Sequence, residues 1–214
     1  MSVLEQTGKI TSFRTPRDET ISRKIIGRIL EAGRKAPSPG GAHTLEFLVV
    51  ESEEVREKVE MVVGDERVVE APTSIIVFSD VNRMARRIGS EKAEEASQAE
   101  ASCAVQNMRL VAQENGVSSC WFSGFEGRLL ADKVAAPKNK VPLAVVSLAF
   151  TDNPVPMKEK FGLNEICFYD EYGSQVSTLF DGAEWDGIEE EKRVFNKKRK
   201  GLIDKLKRLL HKHL

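Results

Sequence analysis

Four apolar segments separated by amphipathic ones constrain the fold of this chain more than any other feature. Leu45–Val50, Thr73–Asp80, Ser118–Phe125 and Lys140–Phe150 each have the length and the apolar content of a β-strand. The nearly continuous apolar run of the first segment predicts burial on both of its faces, and the second is also predicted to be buried. Helices must cover such strands, so the sequence predicts one domain of the α/β or α+β class around a central sheet.

The amphipathic segments between these strands predict helices. Thr20–Lys35 carries five isoleucine or leucine side chains at helical spacing, and Pro37 follows it and ends the helix. Glu91–Asn115 is a longer helix, and Gly116 suits its C-terminal end. The two remaining predicted helices are Val55–Val63 and a short one at about Leu129–Val134.

Composition excludes several classes of protein. Apolar residues make up 41% of the 214 positions, which is typical of a folded domain. The 32 basic residues nearly balance the 33 acidic ones, so no net field attracts nucleic acid or a membrane surface. There is no apolar run of about 18 residues, and the N-terminal segment lacks the apolar core of a signal peptide. We therefore expect a cytoplasmic protein with no nucleic-acid or membrane partner.

The cysteines favour the same compartment. Cys103, Cys120 and Cys167 are odd in number and do not have the spacing of metal ligands. Two of them lie within apolar segments. The sequence therefore predicts reduced, buried thiols that act as small hydrophobic side chains.

The C-terminal part of the chain has a different character. From about Gly173 the sequence is rich in turn residues, and Glu189–Leu214 carries ten Lys or Arg against four Asp or Glu. An apolar stripe on this basic segment consists of Leu202, Ile203, Leu206, Leu209 and Leu210. Such a helix could pack on a partner subunit, or it could bind anionic lipid or nucleic acid. We favour subunit packing, because no aromatic residues for base stacking lie among the basic clusters.

Familiar catalytic motifs are missing from the sequence. It contains no glycine-rich phosphate loop of the Walker or dinucleotide type and no paired-histidine zinc motif. His43, His211 and His213 are the only histidines, so a serine-type triad would depend on His43 alone. If the chain is an enzyme, a bound cofactor is expected to carry the chemistry.

Four segments in series resemble the nitroreductase family of FMN-dependent oxidoreductases. The first is TSFRTPRDETISRKIIGRILEAGRKAPSPGGAHTLEFLVV, which is similar to the family's opening helix and its Ala-Pro-Ser loop. The second, ASCAVQNMRLVAQENGVSSCWFSGF, resembles its central helix, the following strand and a Gly-Phe turn. AAPKNKVPLAVVSLAF and MKEKFGLNEICFYDEYG are similar to the next strand and the closing segment. The likeness covers roughly residues 8 to 173.

The resemblance implies a fold, a cofactor and an assembly. The fold is an α+β, three-layer one with a central, mainly antiparallel sheet flanked by helices and a domain-swapped C-terminal extension. The flavin-binding domain is expected at residues 1–173 and the extension at residues 174–214. FMN is expected at the interface of a homodimer. It would pass a hydride from NADH or NADPH to a small organic acceptor, such as a nitro compound or a quinone, by a ping-pong mechanism without a catalytic side chain.

The resemblance also assigns roles to individual residues. The residues expected at the FMN phosphate are Thr11, Ser12, Arg14 and Lys160. Those expected at the flavin ring are Trp121, Phe122, Ser123 and Gly124. Those expected to form a rigid wall across the subunit interface are Pro37, Ser38, Pro39, Gly40, Gly41 and His43. Cations and hydroxyl donors suit a phosphate, and glycine lets backbone N–H groups approach a flat ring.

Several positions depart from the family pattern. Gly41 stands where family members usually have asparagine, and His43 where they have glutamine. Thr11 replaces a frequent arginine. Either the flavin is held differently in this chain, or the chain is a divergent member whose acceptor is not a nitroaromatic compound. The same substitutions leave open a protein of this fold that binds flavin without turnover. Without the resemblance, Arg14 and His43 would equally suit ordinary loop positions.

Overall fold

The computed structural model describes residues 2–158 and 160–174, and the chain divides into two units, Met1–Met157 and Lys158–Leu214. The first unit contains six strands. They are β1 (Thr11–Ser12), β2 (Leu45–Val50), β3 (Thr73–Asp80), β4 (Ser118–Phe122), β5 (Lys140–Ala149) and β6 (Val155–Pro156). All four predicted strands are confirmed, whereas the two-residue strands β1 and β6 were not predicted, because so short a pair has no periodicity of its own.

The central sheet has four strands in the order β2-β3-β5-β4, and every neighbouring pair is antiparallel. This confirms the predicted mainly antiparallel sheet. Outside it, β1 and β6 pair with each other, with Thr11 opposite Pro156. All eight residues of β3 are buried, which confirms the predicted burial of that strand.

Seven helices of the first unit surround the sheet. They are α1 (Val3–Gly8), α2 (Arg23–Arg34), α3 (Glu53–Val63), α4 (Arg67–Glu70), α5 (Val81–Ile88), α6 (Ser90–Glu114) and α7 (Gly127–Lys133). Helix α2 begins after Ser22, whose hydroxyl accepts a hydrogen bond from the Ile25 N–H. Helix α6 is followed by the left-handed Gly116, as predicted. Helices α1, α4 and α5 are additions to the predicted set.

The helices form layers on the two faces of the sheet. On one face, Ile29 of α2 and Val105 and Met108 of α6 pack against β3 and β5. On the other face, Val59 of α3, Val68 of α4 and Leu130 of α7 pack on the opposite sides of the same strands. Each fully buried aliphatic side chain of this kind contributes about 1.5–3 kcal/mol to folding. These two interfaces fix the three-layer architecture.

Two predictions about burial are wrong. Strand β2 is not buried on both faces, since Glu46 and Leu48 are exposed. It lies at one edge of the described sheet, where Leu45, Phe47 and Val49 face the α2 and α6 layer and Val50 is buried on the other face. Cys120 is buried as predicted, but Cys103 is exposed on α6. The apolar surroundings of Cys103 in the sequence did not reveal which face of the helix it occupies.

The second unit is described for Lys158 and residues 160–174. It contains one short helix, α8 (Leu163–Ile166), and the rings of Phe168 and Tyr172 lie 4.6 Å apart. The Tyr169 N–H donates to the Ser174 carbonyl at 3.0 Å. The predicted basic segment, with its apolar stripe, lies outside the described residues. No helix in the described part of the chain has the length and apolar character needed to cross a bilayer.

Candidate functional site

The predicted phosphate residues Thr11 and Ser12 form strand β1, beside the beginning of β4. The Thr11 hydroxyl lies 2.8 Å from the Ser118 hydroxyl and 3.2 Å from Gln113 Oε1. Thr11 therefore ties β1 to both β4 and α6 within the fold. Ser12 is half-buried and pairs with Val155.

Phe13 anchors the segment that carries Arg14. Its ring is fully buried with Ala71, Cys120 and Ala149, and its carbonyl accepts a hydrogen bond from the Cys120 thiol at 3.6 Å. Burial raises the pKa of Cys120. Arg14 follows this anchor directly, and its side chain is exposed. The exposed guanidinium is therefore held next to the β4 edge and is free to meet an anion.

Two further arginines, which the sequence analysis did not single out, lie beside β4. Arg67 forms a two-point contact with Asp65, at 2.7 and 2.6 Å, and its guanidinium lies 5.3 Å from the centre of the Phe122 ring. The hydrogen bonds with Asp65 raise the pKa of Arg67. Its charge is therefore balanced, and its role is to pack the sheet edge.

Arg109 of α6 has a different environment. Its Nε donates to the Ser119 hydroxyl at 3.2 Å, and burial lowers its pKa. Among the described residues, no carboxylate forms an ion pair with Arg109 or with Arg14. The sequence could have pointed to Arg109, because this arginine lies within an apolar stretch of the predicted helix. Its unbalanced charge adds to the positive potential near β4.

The end of β4 carries the residues predicted to lie at a flavin ring. Trp121 is 37% exposed, and Phe122 is half-buried. Ser123 and Gly124 are exposed, and Gly124 has the left-handed φ of +78°. No atom lies within 4 Å of the position that a Cβ on Gly124 would take. A flat molecule could therefore approach this backbone closely.

The residues of the predicted wall, Pro37–His43, form a compact loop before β2, which we call the wall loop. It contains a short 3₁₀ helix, Pro39–Gly41, and the Ser38 hydroxyl accepts a hydrogen bond from the His43 N–H at 2.8 Å. Gly40, Gly41 and His43 have left-handed φ angles of +59°, +62° and +49°. Residues other than glycine rarely adopt that backbone conformation, so contacts with neighbouring residues must hold His43 in it.

Three elements supply those contacts. Arg83 of α5 donates from Nη1 to the His43 carbonyl at 2.9 Å. The next residue, Thr44, is fully buried, and its hydroxyl lies 2.8 Å from the Ser79 hydroxyl of β3. The Thr44 hydroxyl and N–H both donate to the carboxylate of Glu100 on α6. The sequence contains no distinct signal for Glu100, because Glu94 and Glu95 lie in the same alanine-rich stretch of that helix.

A cavity of about 290 Å³ lies between this loop and α6. Its lining residues are Pro37, Ser38, Pro39, Ala99, Glu100 and Cys103. Glu100 is one of these residues although only 2% of it is exposed. Within the described residues, no group of three or more His, Cys, Asp or Glu side chains is arranged to hold a metal ion.

The predicted site residues fall into two groups in the first unit. The β4 group contains Thr11, Ser12, Arg14 and Trp121–Gly124, and the loop group contains Pro37–His43. The wall loop and the end of β4 lie at the same end of the sheet but at opposite edges, because β3 and β5 stand between β2 and β4. Three strand spacings amount to on the order of 14 Å. The remaining predicted residue, Lys160, belongs to the second unit.

A family model and a relative of similar sequence each match most of this chain. The model of the nitroreductase family matches residues 11–66 and 60–150. A Methanothermobacter thermautotrophicus protein with the provisional name NADH dehydrogenase/NAD(P)H nitroreductase is 28% identical over 163 residues, which cover 72% of this chain and 80% of that protein.

Solved structures extend the match to the fold. A nitroreductase family protein from Streptococcus pneumoniae has a TM-score of 0.71 and 18% identity, over 78% of this chain and 100% of that one. An FMN-dependent nitroreductase from Clostridium difficile has a TM-score of 0.67 and 19% identity, over 79% of this chain and 100% of that one. At such low identity, these two structures establish the fold alone.

Proposed function

Since this chain belongs to the nitroreductase family, we propose that it is an oxidoreductase that binds FMN and passes a hydride from NADH or NADPH to a small organic acceptor. One observation carries the proposal. Gly41 and Gly124 are both left-handed, and no atom lies within 4 Å of the position of a Cβ at either residue. They lie in the two segments whose sequences resemble the family's flavin-contacting segments, and their open backbone suits a planar ring.

The side chains near β4 suit the phosphate of FMN. The exposed guanidinium of Arg14 can donate two hydrogen bonds to phosphate oxygens, and the hydroxyl of Ser12 can donate a third. The Thr11 hydroxyl already contacts Ser118 and Gln113, so its contribution is to hold β1 in position. Lys160 belongs to the second unit, and its role at the phosphate stays a prediction from the resemblance.

FMN, when bound, supplies the hydride carrier, so the chain needs no acid or base of its own. The N–H groups near Ser123 and Gly124 would orient the edge of the ring. The partly exposed indole of Trp121 would exclude water beside it. The rings of Pro37 and Pro39 limit the motion of the wall loop, and the exposed imidazole of His43 can donate a hydrogen bond to the flavin or to the acceptor.

We further propose that two chains complete each site. The loop group and the β4 group lie at opposite edges of one sheet, and the strands between them are covered on both faces by helices. A ligand seated at one edge would have to cross about 14 Å at the end of the sheet to reach the other group of the same chain. A second copy of the chain could bring its loop group to the β4 group of the first, which supports a homodimer with FMN at the interface.

Reconstitution with FMN tests the proposed function. Protein incubated with FMN and passed through a desalting column should remain yellow, and anaerobic NADH or NADPH should bleach the flavin band near 450 nm. Arg14→Ala should weaken FMN binding by about tenfold or more, because a charge-assisted bidentate contact is lost. Arg23→Ala is the matched control, since Arg23 is an exposed cation at the start of α2. A protein that stays colourless contradicts the proposal.

A second candidate function is flavin binding without turnover. It is favoured by Gly41, which has no side chain to hydrogen-bond the ring, and by Thr11, whose hydroxyl is used within the fold. The same titration separates the two functions. A yellow protein whose flavin neither NADH nor NADPH bleaches would support the second function and contradict the first.

A further inference from the structure

Glu100 is a buried carboxylate without a cationic partner. Only 2% of the residue is exposed, and among the described residues no basic side chain forms an ion pair with it. Both of its oxygens instead accept hydrogen bonds from one residue, Thr44, through the backbone N–H at 3.4 Å and through the side-chain hydroxyl. Burying a carboxylate costs free energy unless its oxygens accept hydrogen bonds. The contact with Glu100 therefore strongly constrains the position of Thr44.

Thr44 is the junction between the wall loop and the sheet. Its carbonyl accepts a hydrogen bond from the Asp80 N–H at 3.0 Å, and its hydroxyl lies 2.8 Å from that of Ser79. The residue before it is His43, which holds a left-handed φ of +49°. An L residue in that conformation costs about 1–2 kcal/mol, so the loop keeps this shape only while its neighbours impose it.

We propose that Glu100 is a positioning residue for the flavin site. It acts through Thr44 and holds residues 38–44 in the conformation that receives FMN. The inference rests on the proposed function, because it concerns the affinity of that site for FMN. Glu100 does not need to touch the flavin in this role. Its carboxylate sets where the loop ends, and the loop then presents the open backbone of Gly41.

Glu100→Gln tests this role with almost no change of volume. The amide has one acceptor oxygen in place of two. Its NH₂ group would face either the Thr44 N–H, which is also a donor, or the Thr44 hydroxyl, whose proton would then have to turn toward Ser79. We expect the backbone N–H groups of residues 38–44, among which Pro39 has none, to exchange with deuterium at least tenfold faster. We also expect the Kd for FMN, measured by quenching of flavin fluorescence, to rise by about tenfold or more. Exchange in β3 and β5 should stay unchanged.

Two variants of Thr44 and one control complete the experiment. Thr44→Val removes the hydroxyl and should reproduce both effects, whereas Thr44→Ser keeps the hydroxyl and should retain wild-type exchange and affinity. In the double variant Glu100→Gln/Thr44→Val, the increase in Kd should be no larger than the larger single effect, because one contact is removed twice. Glu95→Gln, an exposed change on the same helix, should have no effect.

The outcomes separate this inference from the proposed function. Wild-type exchange of residues 38–44 in Glu100→Gln would overturn the positioning role, whether or not the protein binds FMN. Faster exchange with an unchanged Kd would also overturn it, because the loop would then not control the flavin site. If the wild-type protein binds no FMN, the proposed function fails and this inference fails with it. If Glu100→Gln does not fold, Thr44→Val and Thr44→Ser decide.

Discussion

At the scale of single residues, two adjacent glycines have different freedom. Gly40 and Gly41 share left-handed φ angles, but a Cβ on Gly40 would stand 2.8 Å from Ile88 Cγ2, whereas a Cβ on Gly41 would meet nothing within 4 Å. Gly40 is therefore required by a close contact with α5. Gly41 is required only by its backbone conformation, which asparagine tolerates better than most residues.

Gly41→Asn should tighten FMN binding. The position resembles one where nitroreductases usually carry asparagine, and the open space beside Gly41 can hold an amide that hydrogen-bonds the flavin. One such bond corresponds to roughly a three- to tenfold lower Kd. The Kd is measured by fluorescence titration of the protein with FMN.

Two variants serve as controls for this prediction. Gly41→Ala adds a Cβ at the same backbone position without an amide and should not lower the Kd. Gly40→Asn should destabilise the folded protein by about 1–3 kcal/mol, because the new side chain overlaps Ile88. Equal Kd values for Gly41→Asn and Gly41→Ala would show that no flavin atom lies within reach of position 41.

At the scale of elements, Asp80 joins three parts of the fold. It ends β3, and its Oδ1 accepts a hydrogen bond from the Arg83 N–H at the start of α5. Its Oδ2 lies 3.1 Å from Lys140 Nζ at the start of β5. Burial raises the pKa of Asp80, but the hydrogen bonds from Arg83 and Lys140 outweigh burial, and the net pKa is below the usual value. The carboxylate is thus favoured in the folded state.

The free energy of unfolding should therefore depend on pH through the ionisation of Asp80. A pKa that is lower in the folded than in the unfolded chain contributes stability that is complete above the unfolded pKa, at about 4, and is lost as the pH falls through the folded pKa. Asp80→Asn should lower the free energy of unfolding by about 1–3 kcal/mol at pH 7. The difference from wild type should shrink below about pH 4. Urea unfolding at several pH values measures it.

A surface pair provides the control for Asp80. Glu54 contacts Lys58 at 2.6 Å on the exposed side of α3, and such pairs contribute little to stability. Glu54→Gln should leave the urea midpoint at pH 7 unchanged. If Asp80→Asn behaves like Glu54→Gln, or if its deficit is as large at pH 3 as at pH 7, the Asp80 network does not stabilise the fold in the way described.

The elements that the sequence predicted are those with a strong apolar period. Strand β3 and helix α2 carry enough apolar residues at the right spacing to be identified without tertiary contacts. Helix α5 is largely polar, and what starts it is the cap from Asp80 at the end of a strand, so its polar sequence suggests a loop. Exposure of one side of β2 could not be predicted either, because an edge position depends on strand order.

The site was predictable only in part, for a related reason. The exposed Arg14 and the glycines of the wall loop stand in segments whose order resembles a known family. Glu100 acts through a contact with Thr44, which lies 56 positions away in the chain, and Arg109 through a contact with Ser119 on the strand that follows α6. In the case of Glu100, that contact depends on how α6 crosses the sheet, which no local pattern specifies.

At the scale of the whole molecule, helix α6 connects the two groups of site residues. Glu100 contacts the loop group through Thr44, and Arg109 contacts β4 through Ser119. Arg109 lies nine positions after Glu100, which corresponds to about 13.5 Å along the helix. The strand order places the two groups at opposite edges of the sheet in one chain, so in the proposed dimer each flavin would take the loop of a second chain.

Subunit complementation tests this shared site. Arg14→Glu places a negative charge where the FMN phosphate is expected, and Gly41→Trp fills the open face of the loop. Homodimers of either variant should retain little FMN. A heterodimer isolated with two affinity tags should hold about half of the wild-type flavin, because one of its two sites receives the intact β4 group of one chain and the intact loop of the other. Flavin absorbance per chain after desalting measures the result.

A heterodimer of wild type with Arg14→Glu should also hold about half of the wild-type flavin, and it calibrates how much flavin a half-filled dimer retains. If the first heterodimer is as empty as the homodimers while the calibrating one is half full, one chain provides the complete site.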